Sequence, residues 1–198
     1  MSILGKLAPV KHSWSYRDNV MDLAPEISMR LRLMRIFLWI SVLGWGIGLG
    51  AKLFDLLILA GAWSANPPAS LALLPYGPRF PMNPGDFFQP LSVPMLVGIL
   101  GALICGWKTP FEYRVWLWLP VIMFLVIWVL TPTIFWPMIH ELYGTATGKI
   151  VKSDAEAIQL AHRWIIWDWW RVAMIAVGFV SSVRAISLPV PVKAVRSA

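Results

Sequence analysis

Four apolar stretches dominate this chain, at about 36–63, 91–107, 111–142 and 163–187. Breakers and charges separate them. A helix needs about 20 residues to cross the hydrocarbon core of a bilayer, and only the second stretch falls short of that. Inside hydrocarbon a backbone must close its own hydrogen bonds, which leaves helices or closed barrels. The strict alternation of a barrel strand is absent. The expected fold is therefore an all-α membrane protein, a four-transmembrane-helix bundle with an interfacial N-terminal helix. Composition agrees: 58% of residues are hydrophobic and 14% charged, whereas soluble domains run near roughly 45–50% and 25%.

The chain divides into a leader at 1–33, a transmembrane domain at 34–188 and a tail at 189–198. Arg30, Arg32 and Arg35 alternate with apolar residues over Ile27–Arg35, a pattern suited to a helix lying in the interface. Met1–Val20 has no apolar core before a small-residue cleavage site, so the first stretch is expected to be retained. Gly44, Gly46, Gly48 and Gly50 form two small-xxx-small pairs that permit close helix approach. Residues 64–90 are dense in Pro, Asn and Gly, and no long regular element is expected there. That segment reads equally as a lid or contact surface and as a plain connector. Thr109-Pro110-Phe111-Glu112 and Ser153-Asp154-Ala155-Glu156 have the form of capping boxes. Thr131-Pro132-Thr133 predicts a break in the third helix.

The net charge of +7 is explained by orientation in a membrane. With both termini on one side, Lys6, Lys11, Arg17, Arg30, Arg32, Arg35, Lys108, Arg114, Arg184, Lys193 and Arg196 fall there. Arg79, Lys149, Lys152 and Arg163 fall on the other. Excess positive charge marks the cytoplasmic face, so both termini are expected to be cytoplasmic, with a bacterial inner membrane as the setting. Membrane lipids are the first partners implied. No basic stripe interleaved with aromatics occurs, so nucleic acid is not expected. The single cysteine, Cys105, precludes an intrachain disulfide.

Four ionisable residues lie inside the apolar stretches: Lys52, Asp55, Asp168 and Arg171. A charge near the bilayer centre is unfavourable by about 2.5–3.5 kcal/mol, and such residues mark functional sites by default. Trp164, Trp167, Asp168, Arg171 and Ile175 share one helix face by spacing. Arg171 and Asp55 each lie about eight residues, roughly 12 Å, from the outer end of their span. His140 ends the third stretch on the same side. Two readings follow. The charges line an outward-opening polar pocket with Trp164, Trp167 and His140 around a hydrophobic ligand, or they only pair to fix helix register. His140, Glu141 and His162 are the candidate ligands for a haem or copper centre, although their spacing matches no ligand template. A non-catalytic subunit of a larger complex, or a homo-oligomer, also fits the short chain, its glycine-rich first span and the 64–90 segment.

Leu130-Thr131-Pro132 through Pro137 and His140-Glu141, followed by Trp164-x-x-Trp167-Asp168-x-x-Arg171, resembles the small four-helix membrane family that includes anthrone oxygenases. The likeness covers Leu130 to Leu188. Asp168 stands where that family commonly has Asn, and His140-Glu141 stands in place of Asn residues. The resemblance implies a four-helix bundle and oxidation of an activated aromatic methylene by O₂ without an obvious organic cofactor. On that basis Asp168 would be the base, Arg171 or Lys52 would stabilise the oxyanion, and Trp164 and Trp167 would stack the substrate. Asp55 completes the charged set.

Overall fold

The computed structural model describes residues 15–76, 80 and 82–189, with side chains from Met29 onward. Most of the leader's first half, Arg79 and nearly all of the tail lie outside the described residues. Five α-helices carry the fold: α1 (Ser15–Phe54), α2 (Pro84–Gly106), α3 (Phe111–Leu130), α4 (Trp136–Ala146) and α5 (Asp154–Ser187). A π-helical stretch, Asp55–Ala60, extends α1 into a final turn at Gly61–Trp63. A second, Thr131–Phe135, joins α3 to α4. The result is four rods long and apolar enough to cross a membrane, Met29–Trp63, Pro84–Gly106, Phe111–Ala146 and Asp154–Ser187. This is the all-α four-helix arrangement expected.

Each boundary has a local cause. The leader does not break from the first span, because α1 runs unbroken from Ser15. The second span begins earlier than the apolar run. Asn83 caps Gly85, Asp86 returns the bond to the Asn83 amide, and Pro84 sits at the first helical position, where its missing N–H is harmless. Pro90 and Pro94 are accommodated within α2. Ser153 and Glu156 cap α5 reciprocally, as their spacing predicted. Thr109 behaves differently from its predicted role. Its hydroxyl donates to the Gly106 carbonyl at 2.6 Å, so it closes α2, and Pro110 precedes α3 with no side-chain cap. The Thr131-Pro132-Thr133 break is the second π-helical stretch, where both threonine hydroxyls bond carbonyls four residues back.

The helices form a ring in the order α1, α2, α3, α5. Three of the four alternating glycines of the first span pack within the chain, while Gly50 is exposed and meets nothing within 4 Å. Gly44 and Gly48 face Met95 and Leu91 of α2, and Gly46 faces Phe179 of α5. Gly98 of α2 returns the approach: an added Cβ would stand 2.7 Å from the Ser41 amide nitrogen. Across α1 and α5, Trp45 lies on Gly178, and the buried Ser41 and Ser182 hydroxyls are 2.9 Å apart. Two apolar cores result. The one nearer the termini centres on Met34, Trp45, Ile99 and Leu117. The distal one centres on Leu56, Trp63, Phe135, Leu142 and Trp164.

Candidate functional site

The four intramembrane charges meet at the seam between these cores. Val172 of α5 belongs to the distal core and Ile175, one turn on, to the other. Asp168 lies one turn before Val172 and has no exposed surface. Lys52, in the last turn of α1, points across at it.

Asp168 is held from two sides. Its Oδ1 accepts from Arg171 Nε at 2.9 Å and from a terminal guanidinium nitrogen of the same residue. Its Oδ2 lies 2.8 Å from Lys52 Nζ, an ion contact whose angles fall outside hydrogen-bond geometry. Lys52 also pairs with Asp55. The two acid–base pairs read from the sequence are therefore both formed within their helices and joined across them. Their formal charges cancel, which lowers the penalty for burial. The Lys52 side chain is 4% exposed, and Asp55 and Arg171 are each 15% exposed.

Aromatic rings enclose the charges. The Arg171 guanidinium lies 3.6 Å from the centroid of Phe135, which ends the second π-helical stretch. Lys52 Nζ lies 5.8 Å from the Phe88 ring of α2. Stacking of a guanidinium on a ring face leaves its N–H edge free to bond the carboxylate. Trp164 is buried edge-on against Phe135 and Trp63, with centroids 5.3 and 6.2 Å away. It therefore positions Phe135 and presents no open face, and Trp167 packs at the margin of the distal core.

The segment after α1 is not a free connector. A 3₁₀ turn at Ala69–Leu73 packs Leu71 into the distal core, and Leu74 and Pro75 are buried behind it. Ser70 ties the turn back by donating to the Trp63 carbonyl at 2.6 Å. This fold packs half-buried Tyr76 at the margin of the distal core, within reach of the charges of Asp55, Arg171 and Asp168. Burial first, then the Asp55 charge, push its phenol above its usual range.

His140, His162 and Glu141 are not gathered here. Both histidines are exposed, and Glu141 pairs with Lys152 at 3.4 Å. Among the described residues no group of three His, Cys, Asp or Glu side chains could hold a metal. His140 thus stands on an exposed face, apart from the four charges. Tyr76, Phe88, Trp63 and Phe135 are the members that sequence reasoning missed. Only Phe135 had a signal, the adjacent Thr131-Pro132 break. Both π-helical stretches contribute to the site, Asp55 opening one and Phe135 closing the other; such widenings recur at functional sites.

Comparison with known proteins finds no matching family model, no matching curated protein and no matching solved structure. The likeness to anthrone oxygenases accordingly rests on the residue pattern alone.

Proposed function

We propose that this chain is an oxygenase-like integral membrane protein acting at the Lys52–Asp55–Asp168–Arg171 cluster on a flat, weakly acidic aromatic molecule. The observation that carries the reading is the Arg171 guanidinium, laid on Phe135 and bonded edge-on to a fully buried carboxylate beside a second cation. Two cations among aromatic rings suit an enolate or phenolate, whose charge is spread over a ring system. Asp168 is the candidate base, Lys52 and Arg171 stabilise the oxyanion, and Asp55 is the counter-ion of Lys52 on the more open side. The reaction class is conversion of a methylene flanked by aromatic rings to a carbonyl. Asp168 removes one methylene proton, O₂ accepts the electrons, one oxygen atom enters the product and the other leaves as water. Half-buried Phe88 is the ring that would meet such a substrate, with Phe135 backing the Arg171 guanidinium.

The orientation with both termini cytoplasmic belongs to the same proposal. Among the described residues, the side near the termini carries Arg17, Arg30, Arg32, Arg35, Lys108, Arg114 and Arg184 against Asp18, Asp22, Glu26 and Glu112. The distal rim balances Lys149, Lys152 and Arg163 against Asp86, Glu141, Asp154 and Glu156. That asymmetry supports the orientation.

The test is O₂ uptake by purified protein in nanodiscs with an anthrone-type substrate. One carbonyl product should form per O₂ consumed. Asp168→Asn and Arg171→Ala should each lower the rate at least about 100-fold, the scale of a lost general base or oxyanion donor. A wild-type rate no greater than that of empty nanodiscs would remove the activity. Unchanged rates in both variants would remove these residues from it.

A second reading, a non-catalytic membrane subunit whose charges only fix helix register, is favoured by the self-neutralisation of the cluster and the burial of Lys52 and Asp168.

A further inference from the structure

At the opposite end of the bundle two arginines converge on one short turn. Arg30 of α1 donates from Nε to the Cys105 carbonyl at 2.7 Å and from a terminal nitrogen to the Ile104 carbonyl at 3.2 Å. Arg114 of α3 donates to the Trp107 carbonyl at 3.2 Å. All three carbonyls belong to the C-terminal end of α2, whose partial negative charge draws cations. Each guanidinium has five N–H donors in a fixed fork. Arg30 uses two of its donors and Arg114 one, and Arg114 Nε is buried without an acceptor. The remaining donors are held at a known place by helix ends, so little rotamer freedom is left to lose on binding an anion.

The surroundings point to one kind of anion. Lys108 stands exposed in the same turn. Trp107 and Trp118 pair edge-to-face at 6.0 Å beside it, and with Phe111 they are exposed on the outside of the bundle. Exposed tryptophans at a span end sit at headgroup level, where one side meets acyl chains and the other water. Basic pockets next to transmembrane helices bind anionic lipid headgroups. A soluble phosphate would gain nothing from the rings.

We infer that Arg30, Arg114 and Lys108 form a binding site for the phosphate of an anionic phospholipid, with Trp107, Trp118 and Phe111 against its glycerol and upper acyl chain. The site is separate from the four-charge cluster and does not depend on the activity proposed there.

The test titrates the full chain in a neutral detergent with phosphatidylglycerol, phosphatidylcholine or inorganic phosphate, reading thermal unfolding and lipids retained in native mass spectrometry. Phosphatidylglycerol should stabilise saturably and remain bound. The other two should do neither at the same concentration. Arg114→Gln with Lys108→Gln should raise the half-saturating lipid concentration at least about tenfold, the equivalent of 1.4 kcal/mol. That pair leaves both Arg30 helix-end bonds in place. Arg163→Gln, at the other end of the bundle, should bind as the wild type does. Equal stabilisation by phosphatidylcholine or by inorganic phosphate overturns the inference, as does wild-type lipid affinity in the Arg114/Lys108 variant or an equal loss in Arg163→Gln.

Discussion

Removing Lys52 tests whether the cluster is held by its charges. At 2.8 Å from Asp168 Oδ2 and an effective dielectric of about 20, the gross attraction is about 6 kcal/mol. Desolvation offsets much of that when the pair forms. Removing one partner still leaves an uncompensated buried charge, which destabilises by about 3–5 kcal/mol. In Lys52→Met the remaining charges are Asp55, Asp168 and Arg171. Asp55 is partly exposed and can turn to water, while Arg171 still holds Asp168, so the loss should fall near 3 kcal/mol. Asp168→Asn leaves two cations with Asp55 alone and takes the carboxylate from Arg171, so it should lie near 5 kcal/mol. Lys52→Met with Asp55→Leu leaves a neutral Asp168–Arg171 pair and should return to within about 1–2 kcal/mol of wild type, because apolar replacement of an ion pair is often near neutral. The measurement is reversible unfolding in mixed micelles with increasing SDS. The coupling between Lys52 and Asp55 should then be about 1–3 kcal/mol, with the double variant more stable than the sum of the singles. A Lys52→Met loss below about 1 kcal/mol, or simple additivity, would refute the argument that net charge at this depth governs stability.

Three further outcomes follow from particular contacts. The Tyr76 phenol is raised above its usual range, so the folded chain keeps that proton when the unfolded chain has released it. Stability should be unaffected by this group below about pH 10 and should fall as pH rises beyond it. Tyr76→Phe should remove that alkaline loss in pH-dependent unfolding, and an unchanged profile would show that Tyr76 is not covered. Gly178→Ala places a Cβ 2.7 Å from the Trp45 ring and should destabilise by about 1–3 kcal/mol, with a matching change in tryptophan fluorescence. A wild-type midpoint would mean that α1 and α5 are further apart than described. Phe135→Leu should take the ring from beneath the Arg171 guanidinium, now 3.6 Å from its centroid, with a loss of about 0.5–2 kcal/mol. Its thermal midpoint should drop as the ring contact is lost, and no drop would detach Phe135 from the site.

Much of the architecture was legible because it follows from local rules. Apolar length placed four spans, and the Ser153–Glu156 spacing placed the start of α5. The second span was set too late because Pro84, Gly85, Pro90 and Pro94 read as breakers. Asn83 and Asp86 cap the end, and Pro84 is harmless in the first turn. Thr109 was misassigned because a threonine before a proline serves equally to end one helix or to begin the next. In the site, Asp168 with Arg171 and Lys52 with Asp55 were visible as charges where charges are unfavourable. Tyr76 was not, because its place depends on a 3₁₀ turn folding back between rods, and no periodicity records that. His140 was drawn into the site by depth alone; rotation about the helix axis sends it outward.

The two π-helical stretches explain why the charges meet where they do. One extra residue per turn changes the face on which everything beyond it emerges. After Lys52, the widening at Asp55–Ala60 lets Asp55 stay beside the lysine while Leu56, Ala60 and Trp63 enter the distal core. Before α4, the widening at Thr131–Phe135 turns Phe135 inward, beneath the guanidinium of Arg171, while Met138 and Leu142 pack below it. The first, third and fourth rods each contribute to both cores, and on α5 the change falls between Val172 and Ile175, just past Asp168. A purely apolar seam would have been less demanding to build. A neutral set of four charges there, with Asp168 holding both cations, ties α1 to α5 at one register. A slip of either helix by one turn would move the partners about 5.4 Å apart.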